Sequence, residues 1–414
     1  MLVFRPLARR PIALLWTGQV LAATGSEFYM VAVVWIAAGL IGRDAGYVSA
    51  LQSAALLFAS LFGGIVTDRW QSRTTMIAAD LSRAALLLVL SVAGLFGAMS
   101  LPLLLIITGL TALGAASFDP ALQAILPGLA TDPAMRHATN ALFDATRRVA
   151  RILGPSLIAV VNSVLPTSQF FTVTAATFLL SGLAVRMGVA HAATQPSHRL
   201  VGRRALIDSL IGGSRTARRR PLLLYGLFVS LIGNATWAIG VLLGMILYLR
   251  QTSTDPLTDY SLMMTAYGIG NIISSFVLAN VRTVRPAVWL VISKLIFGLG
   301  VMLLPVEHGR AWLMGASGFA ALNGPFENLS LLYLIQTGVP ARRVGQLYRL
   351  QMCATFSGFL LAYMVAPSLF GWFGLAPVIM AAGGMTIASG LLGIVLFAPR
   401  RRWKIGRQRI RPES

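Results

Sequence analysis

"LPLLLIITGLTALGAASFDPALQAIL", residues 101–126, is apolar over most of its length and long enough to cross a bilayer. Near its end Asp119 and Pro120 stand side by side. A carboxylate is costly in hydrocarbon and a proline lacks the amide proton of a helix interior, so neither suits a plain membrane anchor. Asp before Pro fits a helix start, with Asp119 as N-cap and Pro120 as the first helical residue. The stretch "GPFENLSLLYLI", residues 324–335, repeats the pattern 208 positions on, again with an acid after phenylalanine and a proline alongside. There Asn323 or Gly324 is the expected cap of a restarted helix. Both segments read as broken helices, which a membrane tolerates where the freed backbone lines a cavity. A capping acid can also face a substrate. Asp119 and Glu327 are therefore candidates for proton coupling and for the cavity wall, with Asn323 and Asn328 beside them.

The surrounding chain supports a membrane setting. Of 414 residues, 56% are hydrophobic and 11% charged, where a soluble protein carries roughly 25% charged residues. Such a chain has too little polar surface to cover a soluble core. The fold class is an all-α polytopic membrane protein. Apolar runs between breakers predict twelve segments: 12–40, 45–67, 74–97, 101–126, 138–165, 168–190, 221–249, 260–281, 287–305, 311–338, 346–370 and 375–398. The fifth is cleanly apolar only over 152–166, so Arg147, Arg148 and Arg151 must enter the membrane or snorkel to its edge. The first is too long for a signal-peptide core and is expected to stay as a helix.

The formal net charge is +21, yet its placement argues against nucleic acid as the partner. Basic residues cluster near the N-terminus, at 199–220 and in the tail, and nearly all other loop Lys and Arg fall on the same side of the twelve segments. That asymmetry predicts both termini in the cytoplasm, with basic loops against anionic lipid headgroups. The domain reading is an N-terminal six-helix bundle (1–190), a basic cytoplasmic linker (191–220) with a short amphipathic helix near 203–212, a C-terminal bundle (221–398) and a basic tail (399–414). The halves echo each other: besides the paired Phe-acid motifs, "GPSL" at 154–157 answers "APSL" at 366–369 in the corresponding helix. Parallel duplication of this kind is common in secondary transporters.

The loop "GGIVTDRWQSR", 63–73, joins the second and third segments. Gly64 permits close helix approach, and Asp68, Arg69 and Arg73 can form a charge cluster that holds one conformation and releases in another. The loop resembles the signature of the major facilitator superfamily, with Gln71 where a glycine is usual. "LLWTGQVLAATGSEF", "AADLSRA", "FDPALQAILPGL", "ATNAL", "ILGPSL" and "GPFEN" with "VPARRVGQ" are similar to the branch of macrolide-efflux proteins and the enterobactin exporter. The resemblance implies two six-helix bundles rocking around a central cavity lined mainly by helices one, four, seven and ten. Gly154 and Pro155 partly match the superfamily's antiporter signature, as a helix-packing element.

Each remaining charge inside the membrane needs a reason, since insertion costs about 2.5–3.5 kcal/mol near the centre. Glu27, mid-segment in "ATGSEFYMVAVVW", reads either as a proton-coupling and substrate residue or as a carboxylate bonded to a neighbouring helix for packing. In "NALFDATRRVARILGP", Asp144 reaches Arg147 or Arg148, and Arg147 shares a face with Arg151. These anchor the helix at the headgroups or form a cationic wall suited to an anionic substrate. Lys294, alone in "VWLVISKLIFGLG", either pairs with an acid or is a core lysine. Asn234 and Trp237 are candidate cavity residues on the seventh segment.

No catalytic constellation, metal spacing or phosphate-binding loop is present, so neither an enzyme, a metal site nor a cofactor is expected. The sequence points to a monomeric secondary transporter of the inner membrane whose partners are a small-molecule substrate, protons and lipids. Proton-coupled export of a siderophore-like or other anionic compound is the leading reading. A broad multidrug or macrolide pump is the alternative within transport, and a non-transporting sensor or scaffold the alternative outside it.

Overall fold

The computed structural model describes residues 2–67, 71–129, 133–189, 212–279, 285–306, 309–337, 339 and 341–397. Long helices follow one another through all of these. They are α1 (Arg10–Ile41), α2 (Ala45–Thr67), α3 (Ser72–Leu95), α4 (Leu101–Leu129), α5 (Pro133–Val164) and α6 (Phe170–Gly188) in the first half. The second half holds α7 (Pro221–Thr252), α8 (Pro256–Ala279), α9 (Pro286–Leu303), α10a (Gly309–Ala321), α10b (Asn323–Gln336), α11 (Ala341–Phe373) and α12 (Leu375–Phe397). α10a and α10b are two pieces of one span, and with them the twelve expected segments are accounted for. Met1, most of the expected linker (190–211), with the amphipathic helix expected near 203–212, and the basic tail lie outside the described residues.

Nine stretches among the described residues are long and apolar enough to cross a membrane, the first of them, Arg10–Leu61, covering α1 and most of α2. The two segments that do not qualify are α5 and the broken tenth helix. The first carries Arg147, Arg148 and Arg151, and the second is divided into two short pieces.

The packing repeats itself. α1 lies against α6 and α5, α3 against α6 and α4, and α2 against α4. Six helices on, α7 lies against α12 and α11, α9 against α12 and both parts of the tenth helix, and α8 against the tenth. The halves meet through α2 on α11 and, reciprocally, α8 on α5. Every pair recurs in the other half, which is the arrangement a duplicated six-helix unit produces.

The structure corrects the expected helix breaks. α4 runs unbroken from Leu101 to Leu129, so Asp119 lies inside a continuous helix and not at a helix start. A proline is tolerated within a membrane helix where neighbours make good the lost bond. The tenth helix does break, at Leu322, and Asn323 is the first residue of α10b, not its cap; the N-cap position is Leu322, which makes no side-chain cap bond. The freed carbonyls are satisfied from the side. Asn323 Nδ2 donates to Ala320 O at 2.8 Å, Asn271 Nδ2 to Ala321 O at 3.4 Å and Ser274 Oγ to Leu322 O at 2.7 Å. Two of the three donors come from α8. α7 has its own irregularity, a wider π turn over Trp237–Gly244, after which the regular helix resumes.

Small residues set the closest helix approaches, as expected where no hydrophobic effect drives association in lipid. At the α9–α12 crossing a Cβ on Gly298 would come within 2.5 Å of Gly383 O, and one on Gly383 within 2.6 Å of Gly298 O. These are backbone atoms and cannot swing aside. Gly298→Val is expected to cost about 1–3 kcal/mol, the range for overpacking a filled interior. A lowered thermal unfolding midpoint of the detergent-solubilised protein checks this, with Gly315→Val, at a position with open space around it, as the near-neutral control.

Candidate functional site

Among the described residues two cations are buried, one in each half. Lys294 on α9 is fully buried, and its Nζ donates to Glu327 Oε2 on α10b at 2.6 Å. This resolves the open question of Lys294 in favour of an ion pair, and Glu327 reaches it because α10b restarts just before the acid. The Glu327 side chain keeps 14% of its surface exposed while the lysine keeps none, so the carboxylate is the wetter end of the pair. Space for the ammonium comes from Gly233 on α7, where a Cβ would crowd Nζ, and from Gly390 on α12, where one would sit 3.0 Å from the lysine Cβ.

The first half holds Arg83 on α3, 4% exposed. Its Nη2 donates to Ser26 Oγ on α1 at 3.0 Å, its Nη1 lies 3.5 Å from Asp80 Oδ1, and its guanidinium sits 3.6 Å from the ring centroid of Phe178 on α6. Gly114 on α4 clears the stem, since a Cβ there would lie 3.0 Å from Arg83 Cγ. Asp119, further along α4, is exposed and within electrostatic reach of the guanidinium. Sequence reading misses Asp80 and Arg83 as site residues. The signal that could have found them is an acid and a base three residues apart in an otherwise apolar segment, the same kind of signal that singles out Lys294.

Glu27 lies one residue beyond Ser26, half-buried on α1. Gly154 of α5 packs directly on it: a Cβ at 154 would meet Glu27 Cβ at 2.5 Å and Phe28 N at 2.9 Å. The pairing of Gly154 with α1 is thus a close helix contact. Asn234 bonds back to its own helix, Nδ2 to Ser230 O at 2.7 Å, and Trp237 packs against Tyr267 with ring centroids 4.5 Å apart. Asn323 is buried in the break, and Asn328 is exposed. Arg147, Arg151 and Pro155 lie on α5, and their side chains fall outside the described part of the structure. Of the loop cluster, Gly64 is near the end of α2, Asp68 and Arg69 are outside the described residues, and Arg73 Nη2 donates to Arg186 O on α6 at 2.9 Å.

Bonds between the halves gather toward the end opposite the N-terminus. Arg250 Nη2 donates to Trp35 O at 2.7 Å, and its guanidinium lies over the Trp35 ring at 4.1 Å. Ser156 Oγ and Thr265 Oγ1 meet at 2.6 Å across α5 and α8. Toward the N-terminus-bearing end, the described arginine bonds stay within a half: Arg9 to Leu129 O and Arg73 to Arg186 O in one, Arg220 to Thr337 O and Arg343 to Thr216 Oγ1 in the other. A long contact of Ser60 Oγ with Cys353 Sγ, at 3.9 Å, crosses between the halves on that side.

Two pseudo-symmetric six-helix bundles with ion pairs inside the bilayer define a membrane carrier. The chain belongs to the Major Facilitator Superfamily, whose pattern matches residues 15–348. It is similar to the Bacillus subtilis (strain 168) MFS-type transporters YfiS, 23% identical over 407 residues and 94% of each chain, and YvqJ, 23% identical over 406 residues, 94% of this chain and 92% of that one. Among solved structures it resembles a POT peptide transporter (TM-score 0.76, 14% identity, 94% of each chain) and the nucleoside transporter NupG (TM-score 0.71, 12% identity, 94% of this chain and 99% of that one). As a member of that superfamily it is a multi-pass membrane transporter, and not an enzyme.

Truncating Lys294 to Ala leaves Glu327 without its cation, a change expected to cost about 3–5 kcal/mol. The double change Lys294→Met with Glu327→Gln should recover most of that stability. Thermal unfolding midpoints of the purified single and double variants measure both.

Proposed function

We propose that the chain is a proton-coupled exporter of a small anionic or amphipathic compound, siderophore-like in character, working by alternating access from the plasma membrane. The bundles at 1–190 and 221–398 rock as units, with both termini, the linker at 191–220 and the tail at 399–414 in the cytoplasm against anionic headgroups. A single chain suffices as the transporting unit.

The observation that carries the reading is the Lys294–Glu327 pair. An ammonium and a carboxylate this deep are stable together and costly apart. A proton arriving at the wetter carboxylate neutralises it, weakens the pair and frees the ammonium to attract an anionic cargo. Glu27, at the tight α1–α5 contact, and Asp119, exposed on α4, are the other proton-coupling residues. The cavity wall comprises Glu27, Asp119, Arg147, Arg151, Asn234, Trp237, Asn323, Glu327 and Asn328. The inter-half bonds at the end away from the N-terminus support a state closed to the outside and ready to load from the cytoplasm. The loop of Gly64, Asp68, Arg69 and Arg73 acts as the conformational switch. Similarity to the macrolide-efflux and enterobactin-exporter branch supports export; the solved relatives in complex with small organic compounds, 5-aminolevulinic acid among them, support a small polar solute.

Reconstitution in liposomes with an imposed pH gradient tests this against catecholate iron chelators, macrolides and lipophilic cations. Gradient-driven movement of a chelator with counterflow of protons is expected, and Glu327→Gln should abolish the gradient's effect while leaving exchange without a gradient. Movement of lipophilic cations alone would favour the multidrug reading. No substrate-linked proton flux with any of the three would overturn proton-coupled export and leave the sensor reading. Intact coupling in Glu27→Gln would remove that residue from the proton path.

A further inference from the structure

Positive charge is concentrated toward the N-terminus-bearing end of the helices, so an arginine at the other end needs a reason. Among the described residues three stand there: Arg43 just after α1, Arg250 near the end of α7 and Arg310 at the start of α10a. Arg310 is accounted for. Its Nε donates to Asp259 Oδ1 at 2.5 Å, and its Nη2 lies 3.6 Å from Asp255 Oδ2. Arg43 and Arg250 have no such partner. Among the described residues no carboxylate lies within ion-pair distance of either.

Each instead reaches across to the other half. The Arg43 guanidinium lies on α11, where a Cβ at Gly371 would meet its Nη1 at 2.6 Å and its Cζ at 2.9 Å. The Arg250 guanidinium lies on α1, where a Cβ at Gly39 would sit 3.3 Å from its Nη1. Trp35 fixes Arg250 there through its carbonyl and its ring, while the Arg250 Nε is buried and donates to nothing among the described residues. Both arginines line one cavity of about 270 Å³ at the seam between the halves. Gln251 adds an amide, Leu247, Phe370 and Leu375 add apolar surface, and none of the lining residues is acidic. Two guanidinium groups on one cavity repel each other, and an anion between them would turn that repulsion into attraction.

We propose that this cavity binds a phosphate group, held between Arg43 of the first half and Arg250 of the second. A carboxylate presents two oxygens in one plane and is satisfied by a single guanidinium fork. A tetrahedral phosphate offers oxygens to two forks arriving from different sides. At about 30 Å³ per water, the cavity has room for a phosphate ion with part of its hydration shell, or for the phosphate of a lipid headgroup. Because its two arginines belong to different halves, a phosphate bound here ties the halves together at this end. Parting the halves would divide the site, so binding favours the closed arrangement by linkage. The site itself needs only the closed geometry. Its effect on opening rests on alternating access, and the two are measured separately.

The full chain is purified in a maltoside detergent, which contributes no phosphate, and given inorganic phosphate or phosphatidylglycerol as separate probes. A saturable rise in the thermal unfolding midpoint with at least one probe is expected. Arg43→Gln and Arg250→Gln should each weaken that probe's apparent affinity about tenfold. Gly371→Ala, which displaces the Arg43 guanidinium and removes no charge, should weaken it as well. Acetate should bind about tenfold more weakly than inorganic phosphate. A response to inorganic phosphate alone marks a soluble ligand, a response to phosphatidylglycerol alone marks a lipid headgroup, and either supports the site. No response to either probe, or affinity unchanged in both arginine variants, overturns the proposal. Acetate binding as tightly as phosphate overturns the choice of phosphate. With Cys353→Ser and spin labels at Ala98→Cys and Thr254→Cys, exposed positions at this end of the two halves, the probe at about ten times its Kd should raise the ratio of short to long label distances about tenfold. Binding without that rise keeps the site and overturns its role in tying the halves.

Discussion

The Lys294–Glu327 pair constrains more of this molecule than any other contact. A fully buried ammonium is held only by a close, well-aligned acid, because the cost of removing both charges from water is several kcal/mol per ion. That demand propagates outward. α10b must restart where Glu327 points at α9, so the helix break and the ion pair belong together. α7 must offer Gly233 and α12 Gly390 at the lysine, so two further helices carry small residues at fixed positions. Four helices of the second half are thus tied to one pair of charges.

The first half answers the same geometric problem with different chemistry. Arginine replaces lysine, its guanidinium reaches a hydroxyl and an aromatic face as well as a carboxylate, and no single bond is as short as the one across the pseudo-symmetry axis. The duplicated unit supplies the same helix pairings, while the side chains set one ion pair at 2.6 Å and the other at 3.5 Å. The backbone differs at the same places, with α4 continuous where the tenth helix breaks at Leu322.

Much of the architecture is legible in the amino-acid sequence. Composition and run length place the twelve segments, and the spacing of Asp119 and Glu327 points to duplication, because bilayer thickness and backbone satisfaction leave few alternatives. The break in the tenth helix shows in its acid and proline; its satisfaction by Asn271 and Ser274 does not, since these act from a helix some fifty residues away in sequence. The same local pattern misleads at Asp119, where α4 continues regardless. Proline marks a strained position, and tertiary neighbours decide whether the helix yields. Lys294 is visible as a charge without an explanation, and its partner depends on which face of α10b meets α9. Asp80 and Arg83 escape notice because, as neighbours on one helix, they look like a self-contained pair. Only the fold shows that Arg83 bonds Ser26 and lies within electrostatic reach of Asp119.

The side-on satisfaction of the tenth helix has a mechanical consequence. Breaks in membrane helices are natural candidates for hinges, where one piece swivels against the other. Here two carbonyls at the break, Ala321 O and Leu322 O, are held by α8 through Asn271 and Ser274, and Asn323 of α10b bonds back across it to Ala320 O. Bending at Leu322 would tear both bonds away with no water to replace them. α8 and the two pieces of α10 are therefore splinted into one stiff plate. The edge of that plate is where α8 meets α5 across the interface between the halves.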